Sequence, residues 1–114
     1  MKRLLPPLIC IAALPAAAAA TEWKDIDVTL EGDKVFEHCA PLAAGEKRRW
    51  HWKANAAVDF NIHYHEGPEV FYPVKRDGMR GDGGTFTARS PQDYCWMWTA
   101  RDKPVKLEGR IESK

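Results

Sequence analysis

Residues 60–74 read FNIHYHEGPEVFYPV, and this stretch decides the fold that we predict for the chain. Apolar and polar residues alternate up to His65. Alternation with a period of two is typical of a strand with one buried and one solvent-exposed face. Gly67-Pro68 supplies a turn, and a run rich in aromatic and branched residues returns after it. The stretch therefore predicts a β-hairpin.

The predicted hairpin has an apolar face and a polar face. The alternation buries Phe60, Ile62 and Tyr64, and it directs the intervening Asn61, His63 and His65 outwards or into a polar pocket. Pro73 has no amide hydrogen to donate, so we expect the return strand to end there or to lie at a sheet edge.

Short strand-like segments flank the hairpin, and turn signals separate them. They are residues 21–30, 34–40, 47–54, 85–89, 94–99 and 105–111. Residues 75–84 contain four glycines and no periodicity, and we expect a flexible connection there. Because no helical period follows residue 20, the chain is predicted to be all-β: an antiparallel, jelly-roll-like β-sandwich of seven to eight strands.

The first twenty residues have the parts of a secretory signal peptide. Lys2 and Arg3 are charged, residues 4–14 form an apolar run, and Ala18 and Ala20 fit the small-x-small cleavage rule. The apolar run is too short for a membrane span, and no later segment approaches that length. We therefore predict an exported protein, periplasmic or secreted, with no membrane span and one mature domain over residues 21–114.

The charge balance of the mature chain shows no basic excess that would favour nucleic acid or anionic lipid as a partner. Of the 17 Lys and Arg residues, 15 remain after removal of Lys2 and Arg3, and they face 16 Asp and Glu residues. Nucleic acid is therefore not expected as a partner. The two serines, Ser90 and Ser113, lack a nucleophile-like context, so we expect a binding module and no enzyme; the sequence does not identify the protein or small molecule that it binds.

The mature chain keeps two cysteines, Cys39 and Cys95. In an oxidising compartment an even pair most simply forms a disulfide, which would close a long loop. The alternative is a pair of thiolates bound to a metal ion.

The order of short motifs along the chain is similar to one known family. Glu37-His38-Cys39 lies in an early strand, a polar hairpin and Gly84-Thr85-Phe86-Thr87-Ala88 follow, and a turn leads into Tyr94-Cys95-Trp96 and the final PVKLEGRI, residues 104–111. In this order the chain resembles the GOLD (Golgi-dynamics) β-sandwich of cargo receptors in the secretory pathway. The resemblance covers roughly residues 35–111. It implies a sandwich, a Cys39–Cys95 bond and non-catalytic binding, but the receptors' membrane span has no counterpart here.

A possible metal site lies in the hairpin. The pattern His63-x-His65-x-x-x-Glu69 resembles the first metal motif of cupins, and two imidazoles with a carboxylate can bind copper(II) or zinc. His38 or His51 would be the extra ligand, because no histidine follows His65. The alternative is that both imidazoles are exposed and hydrogen-bonded to nearby carboxylates.

Two pairs of tryptophans repeat at the strand period: Trp50 with Trp52, and Trp96 with Trp98. Such pairs either fill a small core or form an exposed aromatic strip for a ligand. If Cys95 points inwards, alternation turns Trp96 and Trp98 outwards. These two tryptophans are therefore our candidate binding surface.

Overall fold

The computed structural model describes residues 2–14 and 20–114, and its regular structure consists of six β-strands. They are β1 (Trp23–Leu30), β2 (Val35–Leu42), β3 (Lys47–Glu66), β4 (Glu69–Thr87), β5 (Gln92–Ala100) and β6 (Val105–Glu112). Within these described ranges no helix is long and apolar enough to cross a membrane. Ala18 of the predicted cleavage motif lies outside the described residues.

The long hairpin of β3 and β4 organises the sheet. One side of β3 pairs with β4, and the other side pairs first with β6, over residues 50–54, and then with β5, over residues 58–63. β1 lies beyond β6, and β2 lies beyond β5, so the order is β1-β6-β3-β5-β2 with β4 beside β3. All pairings are antiparallel. The sheet therefore has two halves that share β3.

The sheet curls so that aromatic rings from its two halves pack together. The ring centroids of Trp52, in the first half, and Trp98, in the second, are 6.4 Å apart. Phe60 lies between the halves, 5.6 Å from Trp52 and 5.2 Å from Trp98. The rest of the core is mostly aliphatic and comes from all six strands and the residue after β4: Ile26, Leu30, Leu42, Val58, Ile62, Phe86, Ala88, Val105, Leu107 and Ile111, with Trp50, Tyr94, Trp96 and Ala100.

The prediction of an all-β antiparallel fold is confirmed, but the strand count is wrong. Residues 47–66 form one continuous strand where two were expected, and residues 75–84 continue β4 instead of forming a flexible connection. The glycines in β4 reflect packing: a Cβ at Gly84 would lie 2.9 Å from the ring of Trp50, and one at Gly83 would lie 3.1 Å from the Trp50 carbonyl oxygen. Periodicity is weak there because β4 pairs on one side only and is mostly exposed.

Pro73 lies within β4, at the sheet edge. Ile62 pairs with Val74 and Tyr64 with Phe71, so both Tyr72 and Pro73 lie opposite His63 and form a bulge. A proline and a bulge on an edge strand both disfavour pairing with a further strand. Pro73 thus lies at a sheet edge, but the return strand continues past it.

The Cys39–Cys95 disulfide is present, and it joins directly opposed residues of β2 and β5. Strand alternation places Trp96 and Trp98 on the other face of β5, where both side chains are 0% exposed. The prediction that these tryptophans form a binding surface is wrong, because the disulfide occupies the outer face and the indoles fill the core. Cys95 is also buried, although it lies on that outer face.

Candidate functional site

The tip of the β3–β4 hairpin lies beside the start of β5, where the Gln92 side chain donates a hydrogen bond to Glu66. β3 pairs with β5 only as far as His63, opposite Cys95. Beyond that point, Tyr64 pairs with Phe71 and Glu66 with Glu69, both across the hairpin. The two faces of this region carry different chemistry, one aromatic and one polar.

The aromatic face contains a groove lined by residues of β3, β4, β5 and the β4–β5 connection. We call it the hairpin groove; its lining residues are Tyr64, Phe71, Tyr72, Pro73, Phe86, Thr87, Arg89, Ser90 and Tyr94. Tyr64 stacks on Phe71 with ring centroids 5.2 Å apart, and its edge meets Tyr94 at 5.3 Å. Phe86 contacts the other side of Tyr94 at 4.9 Å. Four rings therefore form a continuous wall.

The hairpin groove is open to solvent and has a volume of about 490 Å³. At the β4–β5 connection, the Tyr94 hydroxyl donates a hydrogen bond to the Ser90 carbonyl at 2.7 Å and Arg89 is exposed. Two aromatic side chains on the return strand remain accessible, Phe71 at 37% and Tyr72 at 49%. A pocket of this size accepts one or two side chains or a small molecule.

The polar face is built on a row of three residues across neighbouring strands. Cys39 on β2 lies opposite Cys95 on β5, and Cys95 lies opposite His63 on β3. Directly opposed residues of adjacent strands place their side chains on the same face within contact distance. Glu37, two residues before Cys39, shares this face. We call Glu37, Cys39, Cys95 and His63 the cross-strand row.

The His63 ring is held in one orientation by its neighbours. Its side chain is almost fully buried, and its Nδ1 lies 2.7 Å from Asn61 Oδ1, an acceptor, so Nδ1 donates. Burial lowers the pKa of His63 more than the nearby Glu37 carboxylate raises it, and His65 lowers it further. The neutral ring therefore has a bare Nε2, which lies 3.7 Å from Glu37 Oε1.

Glu37 also approaches the disulfide. Its Oε1 lies 3.2 Å from Cys39 Sγ, but this sulfur is in the disulfide and carries no proton to donate. Ligand atoms of Glu37, His63 and Cys95 all lie within 4.8 Å of one another. The row therefore gathers electron-pair donors around one point on the outer face.

The structure gathers only part of the predicted metal set. The rings of His63 and His65 lie on one face with centroids 5.2 Å apart, whereas Glu69 lies opposite Glu66 at the hairpin tip. Neither proposed extra ligand joins them. His38 lies on the opposite face of β2 from Glu37, where burial and then Lys24 lower its pKa, and the His51 ring lies in the other half of the sheet, 6.4 Å from Trp23.

Two groups of residues were missed by the sequence reasoning. Glu37 was not considered as a ligand, although its spacing from Cys39 places both on one strand face. Phe71 and Arg89 were not considered as binding residues. The adjacent aromatic pair Phe71-Tyr72 on a predicted edge strand was the available signal for the groove.

No protein-family model matches the chain, and no curated protein sequence matches it. Solved structures with a similar fold do exist. PliG from Aeromonas hydrophila, a periplasmic inhibitor of g-type lysozyme, has a TM-score of 0.57 at 11% identity over 84% of this chain and 90% of its own. The pre-peptidase C-terminal domain of a Bacillus anthracis collagenase scores 0.58 at 12% identity, over 77% of this chain and 87% of its own. The Yersinia pseudotuberculosis-derived mitogen scores 0.54 at 10% identity, over 83% and 88%. At such identities the likeness is one of fold.

Proposed function

We propose that this protein is an exported, non-catalytic binding module that holds a segment of a protein partner in the hairpin groove. The observation that carries the proposal is the wall of four packed rings, which lines an open groove and in which Phe71 is exposed to solvent. Isolated exposed apolar residues are ordinary on soluble proteins, but a cluster that lines a cavity marks a binding surface.

The chemistry of the groove favours a protein partner. Aromatic residues and arginine are the side chains most enriched where binding energy concentrates in protein interfaces. Arg89 is exposed at the groove and forms no ion pair within residues 2–14 and 20–114, so its guanidinium is available to a carboxylate of the partner. The expected ligand is an exposed apolar side chain with an acidic group nearby.

The lining also supports a non-catalytic role. In the described part of the chain, no histidine, carboxylate or thiol contributes to the groove, and its hydroxyl groups come from Ser90, Thr87 and three tyrosines. A serine without an adjacent base is a weak nucleophile. Binding is therefore the activity that these side chains can perform.

Export and a GOLD-like type belong to the same proposal. A disulfide persists in oxidising compartments, which supports export. The bond joins an early strand to the Tyr94-Cys95-Trp96 strand, which is the pairing implied by the GOLD resemblance. Because one fold neighbour is a periplasmic lysozyme inhibitor, g-type lysozyme is a reasonable first partner to assay.

Site-specific photo-cross-linking in the exporting cell tests this proposal. A photoreactive phenylalanine analogue in place of Phe71 is expected to yield one discrete adduct with another exported protein, because this ring lies at the groove. Val35 is the matched control, since it is an exposed apolar residue that pairs with Thr99 at the far end of β5. The same adducts from Phe71 and Val35, or none from either, would contradict a specific groove.

Metal binding by the hairpin histidines is a second candidate function. The observation that favours it is the pair of rings on one face, of which His63 is oriented by Asn61 with Nε2 bare. A hydrogen bond to the other ring nitrogen is how proteins orient histidine ligands. Copper(II) or zinc is the proposed ion. Glu69 lies opposite Glu66, on the other face of the hairpin from the two rings, so it does not complete the pair.

Calorimetric titration of the disulfide-bonded protein tests the second candidate. Copper(II) or zinc is expected to bind at one site at neutral pH, and a His63→Ala/His65→Ala double variant is expected to lose it. Glu69→Gln is the matched control and is expected to keep the affinity, because Glu69 lies on the other face of the hairpin. If the double variant binds either ion as tightly as the parent, the histidines are not a metal site.

A further inference from the structure

The cross-strand row brings two sulfurs, an imidazole and a carboxylate close together. Of these groups, only the two sulfurs are bonded to each other, in the disulfide. Cys39, Cys95 and His63 are successive partners across three adjacent strands, so the sheet itself fixes their spacing. The Cα atoms of the two cysteines are 4.0 Å apart. Both sulfurs therefore stay within reach of one ion when the bond between them is broken.

The imidazole and the carboxylate of the row face each other without a hydrogen between them. His63 Nδ1 uses its proton on Asn61 Oδ1, which leaves Nε2 as an acceptor 3.7 Å from Glu37 Oε1. Two acceptors that converge in this way gain no hydrogen bond from each other, although the His63 side chain is buried. A cation between them would satisfy both.

We propose that reduction of the Cys39–Cys95 disulfide converts the cross-strand row into a binding site for a zinc-class divalent cation. The ligands are the two thiolates, His63 Nε2 and a Glu37 carboxylate oxygen. Four ligands of sulfur, nitrogen and oxygen type suit tetrahedral zinc. The site shares His63 with the hairpin histidine pair but differs in its other ligands, because His65 and Glu69 take no part in it. It is also independent of the proposed partner groove.

The conversion needs a dithiol reductant, and exposure determines where it reacts. Cys39 is exposed and Cys95 is buried, so a reductant thiolate attacks Cys39 Sγ. The S–S bond breaks, and its electron pair leaves on Cys95 Sγ, beside His63. The second reductant thiol then displaces Cys39, which gives two protein thiols and the oxidised reductant. Metal binding releases the two thiol protons to solvent.

The test compares zinc binding by reduced and oxidised mature protein. The protein is reduced anaerobically with dithiothreitol, the reductant is removed by gel filtration, and zinc is titrated against a chromogenic chelator. Reduced protein is expected to bind one zinc ion about 100-fold more tightly than oxidised protein. His63→Ala is expected to lose about 10- to 100-fold in affinity, whereas the matched His65→Ala keeps it within about twofold.

Three results would overturn the proposal. They are equal zinc affinity in the two redox states, unchanged affinity in His63→Ala, and an equal loss in His65→Ala. If reduction alone unfolds the domain, zinc must restore native tryptophan emission, and failure to do so also counts against the site.

A second variant tests the site without any reductant. Cys39→Ser leaves Cys95, His63 and Glu37, the three residues whose ligand atoms already lie together. Cobalt(II) added to this variant is expected to show a thiolate-to-metal charge-transfer band that is lost in Cys39→Ser/His63→Ala. A band of equal intensity in the double variant would remove His63 from the site.

Discussion

Replacement of Trp98 by alanine is expected to lower the free energy of unfolding by about 4 kcal/mol. The side chain is fully buried, and its ring contacts Phe36, Trp52 and Phe60 at centroid distances of 5.9, 6.4 and 5.2 Å. Phe60 and Trp52 lie in different segments of β3, so Trp98 links the two halves of the curled sheet. Alanine would leave a cavity that the rigid strands cannot close.

Urea unfolding followed by far-ultraviolet circular dichroism measures this loss. Trp23→Ala is the matched control, because Trp23 is only partly buried and its ring lies between the guanidinium groups of Arg49 and Arg110. The control is expected to cost about 1 kcal/mol. Equal losses in the two variants would mean that Trp98 does not occupy the core.

Loss of the disulfide is expected to cost about 4 kcal/mol. Cys39 and Cys95 are 56 residues apart, and a cross-link over such a loop restricts the unfolded chain strongly. A domain of this size has a total stability of about 5–15 kcal/mol, so the bond supplies a large part of it. The reduced domain should nevertheless stay folded at low temperature.

The double variant Cys39→Ala/Cys95→Ala and the reduced parent should agree within about 1 kcal/mol, since both remove the same cross-link and alanine leaves only a small gap. Metal chelator is present in both samples. A loss below about 1 kcal/mol in each would contradict the entropic role of the bond.

The fold could be predicted from the sequence as far as local periodicity determines it. Alternation in residues 60–65 gave the correct faces, with Phe60 and Ile62 buried and Tyr64 half-buried. The boundaries of β4 could not be predicted, because Gly83 and Gly84 are explained by contacts with Trp50 on the neighbouring strand, which sequence spacing does not reveal. The number of strands could not be predicted from local periodicity either.

The candidate site was less predictable because it depends on register. The histidine pattern drew attention to His63, but Glu37 joins it only because β5 lies between β2 and β3 and places Cys95 opposite both Cys39 and His63. The hairpin groove combines Phe71, near the start of β4, with Arg89, which follows the end of β4. The two residues are far apart along the strand and line one groove only because the sheet is curled. For Trp96 and Trp98, the assumption that Cys95 faces the core produced the wrong face.

The most direct test of the binding proposal is the affinity of the cross-linked partner, once purified, for groove variants of the mature protein. Phe71→Ala and Arg89→Glu are each expected to raise the Kd by about 30-fold, equivalent to about 2 kcal/mol, whereas Val35→Ala should leave it unchanged. Circular dichroism would establish that each variant is folded. An unchanged Kd in both groove variants, or an equal loss in Val35→Ala, would contradict the assignment of the hairpin groove as the binding site.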